Sequence, residues 1–383
     1  MGAFLHSRWV EPPAGVEERD AGELAPGFRA AGVACGIKGG GTPDLGLLLC
    51  DEPEPGSAAL LTSNAAPAAP VRVCRERAEL GALRAVVASS GNANAGTGPE
   101  GYERAVAMQE EAAAQLDLAP ASVAVASTGQ IGIPLPIDAV REGISMAAGE
   151  IAPGRSTELA RAIMTTDRAP KHGTLRAGGV TISAQAKGAG MIQPGFATAL
   201  CFVQTDATVP DPEATLRAAA ATSFERITVD GLQSTNDTIV LQATGAAGSE
   251  LPAGLLDAIL LQLALDVVED GEGATRVARL RVGGAGDDAE ADRVARTIAN
   301  SQLVQTALHG RDANWGRIVQ AAGMALAGQE LKLDADSVEA AEMGADSQEA
   351  DLALELGRGE GEALVYFSDL SCDYVRINSD YSS

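Results

Sequence analysis

Short apolar runs alternate with longer amphipathic stretches along most of this chain. Continuous apolar runs at 84–89, 122–126 and 199–203 predict buried strands, and the period-two pattern of 180–186 predicts another. Further strands are predicted at 237–243, 274–282, 330–334, 351–356 and 363–368. Helices are predicted at 99–116, 137–149, 157–164, 211–224, 253–269 and 287–300. The start of 211–224 is marked twice, by Asp211 as N-cap and by Pro212 at the first helical position. Asn314-Trp315-Gly316-Arg317 starts another helix, with Trp315 read as a packing anchor. Elements taking turns in this way indicate an α/β class. Residues 1–25 are polar and punctuated by Pro and Gly, which reads as a loose lead-in, and 335–350 reads as a loop. The ending Tyr374-Val-Arg-Ile-Asn378 is aromatic and strand-like, so this tail is expected to be tied down rather than frayed.

Composition narrows the partners. The formal net charge is −24, the wrong sign for nucleic acid or an anionic membrane surface, both of which need a basic footprint. No stretch approaches the ~18 uninterrupted apolar residues of a membrane span, and the first 13 residues hold no apolar signal core. Five cysteines, Cys35, Cys50, Cys74, Cys201 and Cys372, are scattered without Cys-x-x-Cys spacing, which suits a reducing compartment and a cytoplasmic protein. Lysine is confined to Lys38, Lys171, Lys187 and Lys332, which singles out Lys187 within the glycine-rich turn Lys187-Gly188-Ala189-Gly190-Met191.

That turn leads through Pro194-Gly195-Phe196-Ala197-Thr198 into the apolar run. A threonine at the head of a strand is inert unless activated. Cutting the bond before it would free its own α-amine, whose reference pKa of about 7.7–8.0 suits a base at working pH. Taken alone, the segment reads first as a glycine-rich turn into a buried strand. Other chemistries are poorly supplied. The three histidines, His6, His172 and His309, fall in lead-in or turn contexts and read as surface or loop residues. No Gly-x-Ser-x-Gly elbow, P-loop or dinucleotide fingerprint occurs, and no His/Asp/Glu set has metal-ligand spacing. Ser127-Thr128-Gly129, a small polar turn after a strand, could offer a hydroxyl and a backbone N–H side by side to a developing oxyanion.

Nine segments, in order, resemble the ornithine acetyltransferase (glutamate N-acetyltransferase) family of arginine biosynthesis. They are Ser90-Gly-Asn-Ala-Asn-Ala95, Ser127-Thr-Gly129, Ile163-Met-Thr-Thr-Asp167, Lys187-Gly-Ala-Gly-Met191, Ala197-Thr198, Ser234-Thr-Asn-Asp-Thr238, Asp270-Gly-Glu-Gly-Ala274, Asn314-Trp-Gly-Arg317 and Asp373-Tyr-Val-Arg-Ile-Asn378. The resemblance implies packed β-sheets flanked by helices, in an ornithine-acetyltransferase/DmpA-like fold. It implies self-cleavage between Ala197 and Thr198 into an α chain, 1–197, and a β chain, 198–383. It implies ping-pong transfer of an acetyl group from N2-acetyl-L-ornithine through Thr198 to L-glutamate. Thr128 and Gly129 fall on the family's oxyanion-hole positions. Thr165, Lys187, Thr198, Glu272, Asn378 and Ser383 fall on its substrate-binding positions.

By the same resemblance no metal or bound cofactor is expected, and acetyl-CoA is a second possible acetyl donor. The α and β chains are expected to remain together as an α2β2 heterotetramer. The chain departs from the family's usual residues at Phe196, Ala199, Leu232-Gln233, Ala313 and Cys372, which bears on pocket shape. Two other classes are weighed against this one. An amidohydrolase or aminopeptidase with the same nucleophile would pass the acyl group to water, and a catalytically silent assembly protein would stay uncut.

Overall fold

The structure is a computed structural model that describes residues 3–193 and 199–380. Along the first part run β1 (Glu17–Glu18), β2 (Phe28–Val33), β3 (Leu45–Cys50), β4 (Gly56–Leu61), α1 (Ala69–Arg77), β5 (Ala85–Asn92), α2 (Gly98–Leu116) and β6 (Val123–Gln130). Next come α3 (Ile137–Glu150), α4 (Ser156–Ala162), β7 (Lys171–Ala177), β8 (Val180–Lys187), β9 (Leu200–Thr205), α5 (Pro212–Thr222), β10 (Ile227–Thr228), β11 (Thr238–Ala243) and α6 (Leu255–Glu269). The chain closes with β12 (Val277–Ala285), α7 (Asp288–Ala299), α8 (Gln302–His309), α9 (Trp315–Ala325), β13 (Val338–Glu339), β14 (Glu349–Glu355), β15 (Gly361–Ser368) and α10 (Cys372–Asp380).

Three mixed sheets result, with strand orders β1-β7-β8-β9-β11-β4, β10-β15-β12-β14-β13 and β2-β3-β5-β6. The six-stranded sheet is buried on both faces, which is why β9 and β11 read as unbroken apolar runs. Ala199, Cys201 and Val203 with Ile239 and Leu241 face one core, against α5 and α6. Leu200, Phe202 and Val240 face the other, shared with the four-stranded sheet and α1–α4. The third core lies between the five-stranded sheet and α7–α9. This is an α/β fold of mixed sheets flanked by helices. The segments 1–197 and 198–383 are interleaved within it. β9 pairs with β8 and β11 with β4, so the largest sheet draws strands from both. Among the described residues, no helix is long and apolar enough to cross a membrane.

Several local expectations need correcting. Residues 1–25 are not a loose lead-in. Trp9 is 6% exposed and its ring centroid lies 5.3 Å from that of Tyr366, while β1 pairs antiparallel with β7. A polar segment can be anchored by a few isolated apolar side chains that no periodicity reveals. His172 lies in β7 rather than in a turn, and the tail is the helix α10, not a strand. Residues 330–334 form no strand; Leu331 and Leu333 pack on the core from an irregular segment, and part of the expected loop 335–350 supplies the edge strand β13. Trp315 is 42% exposed at the start of α9 and anchors no core.

Candidate active site

A cavity of about 260 Å³ opens where the ends of β5, β6, β8 and β9 meet the loop before β11, the turn after α6, and α10. Thr128, Gly129, Thr165, Lys187, Glu272 and Asn378 all line it, with Thr166, Ala199, Asp230, Asp237 and Tyr374. Six candidate residues from five separate segments therefore share one wall. Ala197, Thr198 and Ser383 lie outside the described residues. Ala199, which follows Thr198 in the chain, lines the cavity.

Thr128 and Gly129 do not form the expected turn. β6 continues through them, in register with Ser90 and Gly91 of β5. Glycine is required at 129, where φ is +131° and a Cβ would lie 2.3 Å from the Gly91 carbonyl carbon. Opposite, the buried Lys187 Nζ donates to Thr128 Oγ1 at 3.1 Å. An ammonium has only donors, so the hydroxyl accepts and its own proton is free to point into the cavity. Burial lowers the Lys187 pKa, and the nearby Asp167 carboxylate works against that shift.

Asp167 organises this wall. Its carboxylate accepts from the Thr165 N–H at 2.8 Å, the Gly188 N–H at 2.8 Å and Lys171 Nζ at 2.7 Å. Burial pushes it up, but Lys187 and Lys171 outweigh burial and hold it far below the ordinary carboxylate range. Lys171 also reaches Asp270 at 2.5 Å, which ties β7 to the turn carrying Glu272. Asp230 performs a similar task for the glycine turn, accepting from the Met191 N–H at 2.6 Å and the Ile192 N–H at 2.9 Å. Met191 there has a left-handed φ of +55°, uncommon for a side chain of its size.

Glu272 sits against Gly190, where a Cβ would come within 2.8 Å of its carboxylate. Asn378 Nδ2 of α10 donates to Glu272 Oε2 at 2.7 Å. The helix approaches closely because residue 273 is glycine, with φ +73° and a would-be Cβ 2.4 Å from the Tyr374 nitrogen. The cavity thus brings together a buried cation, carboxylates that include Glu272, and a hydroxyl beside a glycine. A zwitterionic amino acid matches those signs.

The family model for the ArgJ family matches residues 29–383. The chain belongs to the ArgJ family. It is 43% identical to the arginine biosynthesis bifunctional protein ArgJ of Geobacter sulfurreducens, over 93% of this chain and 98% of that protein. It is 42% identical to the ArgJ protein of Mycolicibacterium paratuberculosis, over 95% and 97% respectively. Among solved structures, a chain of the Mycobacterium tuberculosis ornithine acetyltransferase complexed with ornithine is 40% identical, with a TM-score of 0.46, covering 48% of this chain and 100% of that one.

Within this ArgJ-family chain, three acids escaped the sequence reading as site residues: Asp167 and Asp230, which set the backbone, and Asp237, which is 2% exposed on the cavity wall. Lysine scarcity was the available signal for Asp167, since Lys171 and Lys187 both act on it. One His/Asp/Glu group does come within ligand distances among the described residues. Donor atoms of His6, Asp266 and Glu269 lie within 4.8 Å of one another, brought together from distant segments. None of the three lines the cavity. His6 Nε2 stands 3.2 Å from Glu269 Oε2, and that contact raises the His6 pKa to about 9.

Proposed function

We propose that this chain moves an acetyl group from N2-acetyl-L-ornithine to L-glutamate in arginine biosynthesis, by a ping-pong route through acetyl-Thr198. The carrying observation is the convergence of Thr128, Gly129, Lys187 and Glu272 with Ala199 on one small cavity, in a chain that matches the ArgJ family over residues 29–383. Thr198 becomes an N-terminus when the Ala197–Thr198 bond is cut: its hydroxyl attacks the Ala197 carbonyl, an N-to-O shift gives an ester, and water opens it. The left-handed Met191, pinned by Asp230, supports a glycine-rich turn held away from ordinary backbone upstream of this segment.

In transfer, the Thr198 amine takes the hydroxyl proton as the oxygen attacks the acetyl carbon. The same proton then passes to the nitrogen of departing ornithine, and glutamate reverses the sequence. Thr128 and the Gly129 N–H steady the oxyanion. Lys187 and Glu272 meet the substrate's carboxylate and amine, with Thr165, Asn378 and Ser383 completing the pocket. This chemistry requires no metal or prosthetic group, and acetyl-CoA would serve only as a second acetyl donor. The β8–β9 and β4–β11 pairings support α and β chains that stay together after the cut. An α2β2 heterotetramer in the cytoplasm completes this reading.

A denaturing gel with mass spectrometry tests it. The 38.9 kDa chain is expected as two bands of roughly half that mass, while Thr198→Ala gives one band and no transfer. An active preparation that remains whole refutes self-processing. Ornithine release that ignores glutamate replaces the transferase with a hydrolase.

A further inference from the structure

Thr128 and Gly129 belong to one sheet, and much of the rest of the cavity to another. β6 lies in the four-stranded sheet, while β8, β9 and β11 lie in the six-stranded one. The two sheets share an apolar core in which Leu200, Phe202 and Val240 join Val86, Val87 and Val125. Apolar burial is non-directional, so directional bonds set more sharply how the ends of two such layers line up. The β5–β6 ladder is itself irregular at this end. Its register shifts at Asn92, which stands opposite both Thr128 and Gln130, and an irregularity of this kind disrupts the ladder locally.

Asn236, in the loop before β11, bridges the sheets at this point. It is 5% exposed, and its Nδ2 donates to the Ser127 carbonyl at 2.9 Å and the Ala93 carbonyl at 2.6 Å. Carbonyls only accept and an amide nitrogen carries two hydrogens, so the nitrogen faces them and both its donors are spent. The Asn236 Oδ1 accepts from Thr235 Oγ1 at 2.6 Å. The two carbonyls flank the oxyanion pair. Ser127 directly precedes Thr128, and the Ala93 N–H donates at 2.9 Å to the carbonyl of Gln130, directly after Gly129. The loop is fastened in turn to the six-stranded sheet. Thr62, just after β4, donates from Oγ1 to the Ser234 carbonyl at 2.8 Å and from its N–H to the Asp237 carbonyl at 2.9 Å. The Thr238 N–H donates to the Ala199 carbonyl at 3.0 Å. Towards the other end of β11, Gln242 Nε2 donates to the Leu83 carbonyl at 2.9 Å, just before β5. That second bridge lies about 20 Å further along the strand.

We infer that Asn236 is a positioning residue for the oxyanion wall: its amide grips the chain on both sides of Thr128–Gly129 and fixes the Thr128 hydroxyl and the Gly129 N–H against the six-stranded sheet. This deepens the transfer reading above and rests on it. Asn236 lines the cavity but has no donor left for a substrate, so it acts through the pair rather than on the acetyl group. A misplacement of about 1 Å at such a site costs on the order of 10²-fold in rate.

The full-length chain carrying Asn236→Asp, alone and together with Thr128→Ala, tests this. Asp keeps the shape but turns an acceptor toward two carbonyls. The readouts are kcat and KM for acetylornithine at saturating glutamate, counted per cut chain as measured by mass. With Thr128 present, kcat is expected to fall about 30-fold or more with KM within about threefold. With Thr128→Ala, the same change is expected to cost no more than about fivefold, because residues that act as a unit are not additive. Gln242→Met removes the remote bridge as a control, and is expected to lower the melting temperature while kcat stays within about threefold. Losses that agree within about twofold in the two backgrounds overturn the inference, since Asn236 would then act independently of Thr128. A raised KM with unchanged kcat also overturns it, by placing Asn236 on the substrate. So does a Gln242→Met enzyme as slow as Asn236→Asp, which would make the effect one of sheet packing in general. If Asn236→Asp does not fold or is not cut, Asn236→Ser enters the same cycle and the same ratios decide. A folded Asn236→Ser chain that stays whole overturns the inference, since the amide would then serve the cut itself. A wild-type enzyme that releases no ornithine from acetylornithine removes the transfer reading and this inference together, whereas lost coupling in an active enzyme removes this inference alone.

Discussion

Replacing Thr128 by alanine should separate transition-state stabilisation from substrate binding. Lys187 Nζ lies 3.1 Å from Thr128 Oγ1 and can only donate, so the threonine proton is left for another acceptor at the cavity. A lost oxyanion donor lowers kcat by about 10²–10³, or about 2.7–4 kcal/mol. The same substitution strips Lys187 of a partner in a buried setting, and a hydrogen bond to a charged group is worth about 1.5–3 kcal/mol. That second loss acts before and during the reaction alike, so it raises KM or lowers stability rather than kcat. Thr128→Ser retains the hydroxyl and should stay within roughly tenfold of wild type, since only side-chain freedom on the order of 1 kcal/mol changes. The assay is ornithine release from acetylornithine at saturating glutamate, on protein whose cut fraction has been measured by mass. A cut Thr128→Ala enzyme with kcat within about threefold of wild type would refute the oxyanion role. So would a serine variant as slow as the alanine one, because the hydroxyl would then not be the group that matters.

Two further outcomes follow from the charges behind and beside the cavity. Lys171→Met leaves Asp167 and Asp270 facing each other without their shared cation, and urea unfolding should register a loss of about 3–5 kcal/mol. Asp167 is depressed in the fold, so its stabilisation is present above its ordinary pKa and fades as pH falls through the folded value; the variant should lose less between about pH 7 and about pH 3, because less remains to lose. His6 runs the other way. Raised from 6.5 to about 9 by its bond to Glu269, it contributes fully below 6.5 and loses that contribution as pH climbs through about 9. Limited proteolysis of the N-terminal segment should therefore speed up across that window in wild type and show no such step in His6→Gln.

How far the sequence could be read depended on where each signal lay. β9 and β11 were legible because burial on both faces leaves an unbroken apolar run, and α5 because Asp211 caps it, accepting from the Ala214 N–H at 3.0 Å. The N-terminal segment was misread because its anchors, Phe4, Leu5 and Trp9, are too few to make a period. The tail was misread for a related reason: α10 buries none of its residues, so it has no apolar face for a helical pattern to reveal. Thr128-Gly129 looked like a turn because small polar residues usually make one. The pairing that straightens it comes from β5, some forty positions away, and from a glycine on each strand that lets the backbones close.

The candidate site divides along the same line. Residue types were visible one at a time, and each had an ordinary explanation in its own loop: Thr165 beside a helix end, Glu272 between glycines, Asn378 in a tail. Convergence turns these into a cavity, and motif order along the chain carried that convergence only through resemblance to a family. The acids show what order cannot carry. Asp167, Asp230 and Asp237 are chemically identical in the sequence, yet the first is held ionised by two lysines, the second is spent on backbone N–H groups, and the third keeps an oxygen unpaired. Those three states differ only in what surrounds the carboxyl. An unmet hydrogen bond is a property of an arrangement, so no spacing rule could have separated Asp237 from its two neighbours in kind.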